Sequence, residues 1–111
     1  MAVIKVWCLP KLSERKLRKI HKSIVKSVER VKELGLKGEE SMTVLFPKDA
    51  MKYGLGTEII IEVTGLPAGS WAIYSQLAEN VGLGVKKFFS KTKVGCSVSP
   101  YDPGQVLWSS N

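Results

Sequence analysis

Apolar and polar residues alternate at the start of the chain. Ile4, Val6 and Cys8 fall on one side, Val3, Lys5 and Trp7 on the other. A period of two marks a strand whose successive side chains point to opposite faces, and Pro10 ends it. The period then changes. Leu17, Ile20, Ile24, Val28 and Val31 recur at spacings of three and four, with Val25 widening the stripe. This predicts a helix with Ser13 as N-cap and Glu14 in its first turn, stopped by Gly35 after Leu34. Met42 to Phe46 reads as a second strand closed by Pro47, and Glu58 to Leu66 as a third, with Ile59, Ile61 and Val63 opposite Glu58, Ile60 and Glu62. A turn at Pro67-Ala68-Gly69-Ser70 leads to a second helix marked by Ile73, Leu77, Val81, Val85 and Phe88. Gly82 and Gly84 each weaken that helix by about 1 kcal/mol relative to alanine, a cost expected to let it lie close on the sheet. Lys93 to Ser99 alternates as a fourth strand through Val94, Cys96 and Val98. Beyond the turn at Tyr101-Asp102-Pro103-Gly104, the apolar Val106-Leu107-Trp108 is expected to pair with, or cover, a neighbouring subunit's sheet edge.

Strand–helix–strand thus occurs twice, over residues 3–46 and 58–99, with a tail at 100–111, in one domain spanning 1–111. The predicted class is α+β. Two βαβ units, each with parallel strands, form a four-stranded mixed sheet with both helices on one face. The other face carries Lys5, Glu58 and Glu62, expected to pair across strands, among apolar positions that suit an oligomer interface.

Charge sharpens this picture at one element. Seventeen Lys and Arg against ten Asp and Glu give a net charge of +7, which favours acidic partners. Between Lys11 and Leu34 lie nine basic residues and three acidic ones, and Arg15, Lys19, Lys22, Lys26 and Arg30 form a stripe opposite the apolar face. A solvated helix back accounts for that stripe. A nucleic-acid footprint is disfavoured, because no aromatic residue interleaves to stack bases and no second helix is spaced for a helix-turn-helix. His21, at the edge of the apolar face, reads as a boundary residue rather than a base. Cys8 and Cys96 lack CxxC or Cys/His spacing, so buried thiols are expected, and neither a metal site nor a cofactor is. Tyr53-Gly54-Leu55-Gly56 does not complete a phosphate-binding glycine motif. With no membrane-length apolar run and no basic leader before the first strand, a cytoplasmic protein is expected.

Several stretches together resemble the tautomerase superfamily, which includes 4-oxalocrotonate tautomerase and macrophage migration inhibitory factor. They are the strand-Pro-x-x-Ser-Glu passage from Leu9 to Glu14, the Thr43-Val44-Leu45-Phe46-Pro47 strand, the aromatic-Gly-aliphatic-Gly turn at Tyr53 to Gly56, and the closing Tyr101-Asp102 and Gln105 to Ser110. The resemblance implies a homotrimer with helices outside and sheets facing a central channel. It also implies keto–enol chemistry on α-keto acids by a neutral terminal proline amine. The chain departs from that pattern at the base itself. Met1 and Ala2 stand where the proline would be, so removal of Met1 would expose a primary amine. The family's arginine positions fall at Leu12, beside Lys11, and at Thr43. Its lysine falls at Leu36, beside Lys37, and the tyrosine and asparagine of its last strand fall at Ser97 and Ser99. Tyr53 matches the pocket aromatic. The implied site therefore comprises Met1 or Ala2 as base, with Lys37, Lys11, Tyr53, Ser97 and Ser99 as substrate-binding candidates. Two functions follow: a weak or altered tautomerase, or a non-catalytic trimer that binds a small carboxylate, an enol or a protein partner.

Overall fold

The computed structural model describes residues 2–48, 58–67 and 69–101. Its longer elements are β1 (Ala2–Trp7), α1 (Glu14–Glu29), β2 (Met42–Leu45), β3 (Ile59–Pro67), α2 (Trp71–Lys86) and β4 (Val94–Tyr101). The sheet runs in the order β2-β1-β3-β4. β1 is parallel to β2 and β3 is parallel to β4, while the two central strands, β1 and β3, are antiparallel. The α+β class, the mixed four-stranded sheet and the pairing of both helices with one face are as the sequence predicts.

Alternation sets that face. Ala2, Ile4 and Val6 of β1 and Ile59, Ile61 and Val63 of β3 are at most 1% exposed, packed against Ile20, Ile24 and Val28 of α1 and Leu77, Val81 and Val85 of α2. Burying a side chain of this size contributes about 1.5–3 kcal/mol. Val94, Cys96 and Val98 of β4 extend the layer as half-buried neighbours. Cys8 does not continue it. Just past β1 the backbone turns left-handed, with φ 68° at Cys8, and the strict alternation ends at Trp7.

Ser13 caps α1 as expected, its hydroxyl oxygen accepting from the Lys16 N–H at 3.2 Å. The other end differs from the sequence expectation. α1 stops at Glu29, Val31 adopts φ −86° and ψ 82°, and a separate 3-10 turn at Lys32–Leu34 is the piece that Gly35 closes in the left-handed conformation. Val31 is nevertheless 1% exposed. The apolar period located a buried residue correctly, but its side chain reaches the core from a chain that has already left the helix.

α2 carries a second correction. Its buried stripe is Tyr74, Leu77, Val81 and Val85, with Ile73 and Phe88 only half-buried. The two glycines also face different neighbours. A methyl at Gly82 would meet Cys96 Cβ on the sheet at 3.7 Å, whereas one at Gly84 would run into Ser27 Oγ of α1. Gly82 thus lies over the sheet as predicted, while Gly84 allows helix to approach helix. There Ser23 Oγ donates to the Gly84 carbonyl at 2.8 Å, and Ser27 Oγ donates to the Ser23 carbonyl at 2.7 Å.

Candidate active site

The strand register fixes what stands on the helix-free face. Three rows cross the sheet there. Thr43, Val3, Thr64 and Ser99 form one, Leu45, Lys5, Glu62 and Ser97 the next, and Trp7, Ile60 and Gly95 the last. Lys5 and Glu62 are register partners, as the expected cross-strand pairing requires. The Glu62 carboxylate, however, accepts from the Trp7 indole N–H at 2.6 Å. A half-buried carboxylate is better served by a fixed N–H donor than by a flexible ammonium that keeps its own hydration. Alternation puts Trp7 and Glu62 on the same open face but does not reveal the bond between them.

Of the candidate residues, Ala2 is 1% exposed and pairs with Met42 at the start of β2. Because β1 and β3 are antiparallel, this end of the sheet also receives the finish of β3 and of β4, bringing Thr64 and Ser99 into the row of Val3. Gly65, at φ 87°, accompanies a register irregularity between Thr64 and Pro67. A positive φ of this kind suits glycine, and such irregularities redirect the strand ends at a sheet margin.

Lys37 precedes β2 in a loop that is well tied down. Its N–H donates to Ser41 Oγ at 3.2 Å, and Ser41 Oγ donates to the Lys37 carbonyl at 2.9 Å. The Gly38 N–H donates to Glu29 Oε2 at 3.1 Å, and His21 Nδ1 stands 3.6 Å from Glu39 Oε1. Two contacts from α1 thus reach the two residues after Lys37, whose own side chain is exposed. His21 is at the edge of the apolar face, as expected, and faces this loop.

Lys11 lies at the other end. It follows β1 and precedes the Ser13 cap, so the length of the strand separates it from Ala2 within one copy. Ser97 and Ser99 are exposed on the open face. The structure thus groups Ala2 and Ser99 at one sheet end, sets Ser97 one row further along, and leaves Lys11 apart. Met1 and Tyr53 lie outside the described residues, as does the apolar tail at Val106 to Trp108.

Cys8 and Cys96 are both half-buried thiols. Burial pushes the Cys96 thiol up to about 12, since the thiolate would lose its hydration. A thiol kept protonated in this way is a weak nucleophile at neutral pH. It lies at a groove of about 360 Å³ between α2 and the β4 edge, lined mainly by Ala78, Gly82, Leu83 and Val94. Among the described residues, no group of three or more His, Cys, Asp or Glu could hold a metal ion. No helix among them is long and apolar enough to cross a membrane.

No protein-family model matches the sequence, and no curated protein matches it. Solved structures do share its fold. Macrophage migration inhibitory factor from Toxoplasma gondii aligns with a TM-score of 0.71 at 11% identity, over 98% of this chain and 97% of its own. A fused 4-OT described as a symmetric trimer aligns with a TM-score of 0.71 at 11% identity, over 90% of this chain and 85% of its own. A malonate semialdehyde decarboxylase inhibited by 3-bromopropiolate aligns with a TM-score of 0.62 at 12% identity, over 96% and 88%. These neighbours are tautomerase-superfamily structures. At such identities the likeness is one of fold.

Proposed function

We propose that this chain is a tautomerase-like homotrimer that lacks the superfamily's terminal proline and has at most weak or altered keto–enol activity on α-keto acid or enol substrates. The observation that carries the reading is the pair of βαβ halves joined through antiparallel β1 and β3, a fold shared over nearly the whole length of macrophage migration inhibitory factor. Assembly into three copies draws support from the fused 4-OT trimer and from the open sheet face, where Val3, Trp7 and Ile60 stand half-exposed among polar residues.

In this reading the base is an α-amine at Ala2 once Met1 is removed, or at Met1 if it is kept. An unperturbed amine of this kind has a pKa of about 7.7–8.0, and partial burial disfavours its protonated form. It would take a proton from the carbon next to a keto group, while the same substrate's oxygen gains one, giving the enol. Lys37, in the loop that leads into β2, is the candidate cation for the substrate carboxylate from the same copy. Lys11 serves such a pocket only from another copy, since its own Ala2 is at the far end of β1. Ser97 and Ser99 offer hydroxyls on the open face, and Tyr53 is the aromatic candidate.

A second reading keeps the trimer and drops the chemistry: a protein that binds a small carboxylate or a protein partner. The residues at the family's arginine positions favour it, since Leu12 and Thr43 supply no charge. Both readings meet in one assay. Phenylpyruvate enolisation is followed with the Ala2 chain and with Ala2→Pro, each checked by intact mass for Met1 and by light scattering for oligomeric state. Slow turnover with Ala2 and at least tenfold faster turnover with proline is the expected result. Saturable carboxylate binding without turnover by the Ala2 chain selects the second reading. A monomer inactive in both forms overturns the first and the trimer with it.

A further inference from the structure

The basic stripe of α1 is not used by either reading, and the structure divides it into two unlike parts. On the outer side, Arg15, Arg18, Lys19 and Lys22 border a broad surface hollow together with Glu14, whose carboxylate already pairs with Arg18 at 2.7 Å. On the inner side, Lys26 and Arg30 turn toward α2 and meet Lys87 and Asn80 around a separate cleft of about 160 Å³.

That inner cleft has the makings of an anion site. Three cations line it and no carboxylate does. Among the described residues, none of the three forms an ion pair; Lys87 lies over the Phe88 ring at 5.4 Å. Ser23 and Ser27 form the floor, 7% and 2% exposed, and their hydroxyl protons are committed to the Gly84 and Ser23 carbonyls. The donors left for a ligand are therefore the guanidinium of Arg30, the two ammonium groups and the Asn80 amide. Gly84 keeps the helices close enough for both to contribute, because a side chain there would collide with Ser27. The volume corresponds to about five waters at ~30 Å³ each, room for one tetrahedral oxyanion with part of its hydration. A planar guanidinium can grip two oxygens while the lysines act as point charges, which suits a group carrying nearly two negative charges.

We propose that the α1–α2 cleft, on the helix side of the molecule, binds a phosphate group, free or at the end of a small phosphorylated metabolite. The cleft binds through Arg30, Lys26, Lys87 and Asn80. The plain alternative is that Lys26, Arg30 and Lys87 merely sit at helix C-termini, where cations are favoured by the helix dipole.

The test is calorimetric titration of the full chain with inorganic phosphate and with pyrophosphate, at fixed ionic strength so that general screening is constant. A single-stranded oligonucleotide forms a third arm. One saturable site per chain is expected for phosphate or pyrophosphate. The Lys26→Gln/Arg30→Gln variant should weaken it at least tenfold, and the Lys19→Gln/Lys22→Gln variant, which removes the same charge from the outer hollow, should leave it within twofold. All four side chains are exposed, and far-UV circular dichroism checks that each variant is folded. No saturable binding overturns the proposal, as does equal weakening by both variants, which would mean a diffuse field. Oligonucleotide binding that is tighter than pyrophosphate and equally sensitive to both pairs overturns it in favour of a nucleic-acid surface.

Discussion

Gly82 and Gly84 are two residues apart in α2, and alanine at the two positions should move stability in opposite directions. Helix propensity favours alanine at each by about 1 kcal/mol. At Gly82 the new methyl makes an ordinary contact with Cys96 Cβ at 3.7 Å, so most of that gain should survive. At Gly84 the methyl displaces Ser27 Oγ and presses on Ser23 Oγ at 3.2 Å. Ser27 is 2% exposed, so a hydroxyl swung off the Ser23 carbonyl has no water to turn to. Stranding such a donor costs about 1–3 kcal/mol, and crowding a packed interface adds a comparable amount. Set against the propensity gain, Gly84→Ala should destabilise by about 1–5 kcal/mol, while Gly82→Ala stabilises by up to about 1. Urea denaturation at one protein concentration measures both, since association couples stability to concentration. Ser27→Ala then supplies the control. On that background Gly84→Ala should recover most of its loss, a coupling of about 1–2 kcal/mol between touching residues. Equal stabilisation by both alanines would refute the reasoning, because it would mean that α1 and α2 do not meet at Gly84.

Three further outcomes are expected. Ser13→Ala should lower stability by about 1 kcal/mol in urea, since the Lys16 N–H loses its capping acceptor. Trp7→Phe keeps the ring but leaves the half-buried Glu62 carboxylate without its 2.6 Å donor; a loss of about 1–2 kcal/mol is expected, and Glu62→Gln in the Trp7→Phe background should cost less than it does alone. The Cys96 thiol has its pKa raised from 9.0 to about 12 in the folded chain. Below pH 9 the thiol is protonated in both states, and its contribution is fully present. As pH rises from about 9 to 12 the unfolded chain ionises first, so stability should fall, and the fall should be shallower in Cys96→Ala when the two pH profiles are compared.

How much of this was legible in the sequence depends on how local each cause is. Alternation at Ile4 and Val6, and at Ile59, Ile61 and Val63, named the buried sheet face because strand geometry leaves one choice once a face is apolar. Ser13 was equally readable, since its partner is three residues away. The end of α1 was not: Val31 keeps the helical period while its backbone departs from it, and periodicity records only which side is buried. The neighbour of Gly84 was hidden for another reason, since Ser23 and Ser27 lie about sixty positions earlier. The inner cleft has the same origin, with Lys26 and Arg30 from one helix and Lys87 from another. Among the candidate site residues, the sequence named Ala2, Lys11 and Ser99 without saying that the antiparallel centre would put the first and last together and the second at the far end. The Trp7–Glu62 bond required the register of β1 on β3, which no single stretch encodes.

The order of the strands in the sheet also has a consequence for synthesis. β1 is made before the other three strands of this sheet and occupies an interior place, yet its antiparallel neighbour β3 ends about sixty residues later. At roughly 5–20 residues per second, a ribosome needs about 3–12 s to deliver that neighbour. For that interval Ile4 and Val6 have at most β2 and α1 for company, with one flank of the strand open to other unfinished chains. Slow decoding between the codons for Leu45 and Ile59 should therefore raise the insoluble fraction more than the same delay placed after Tyr101.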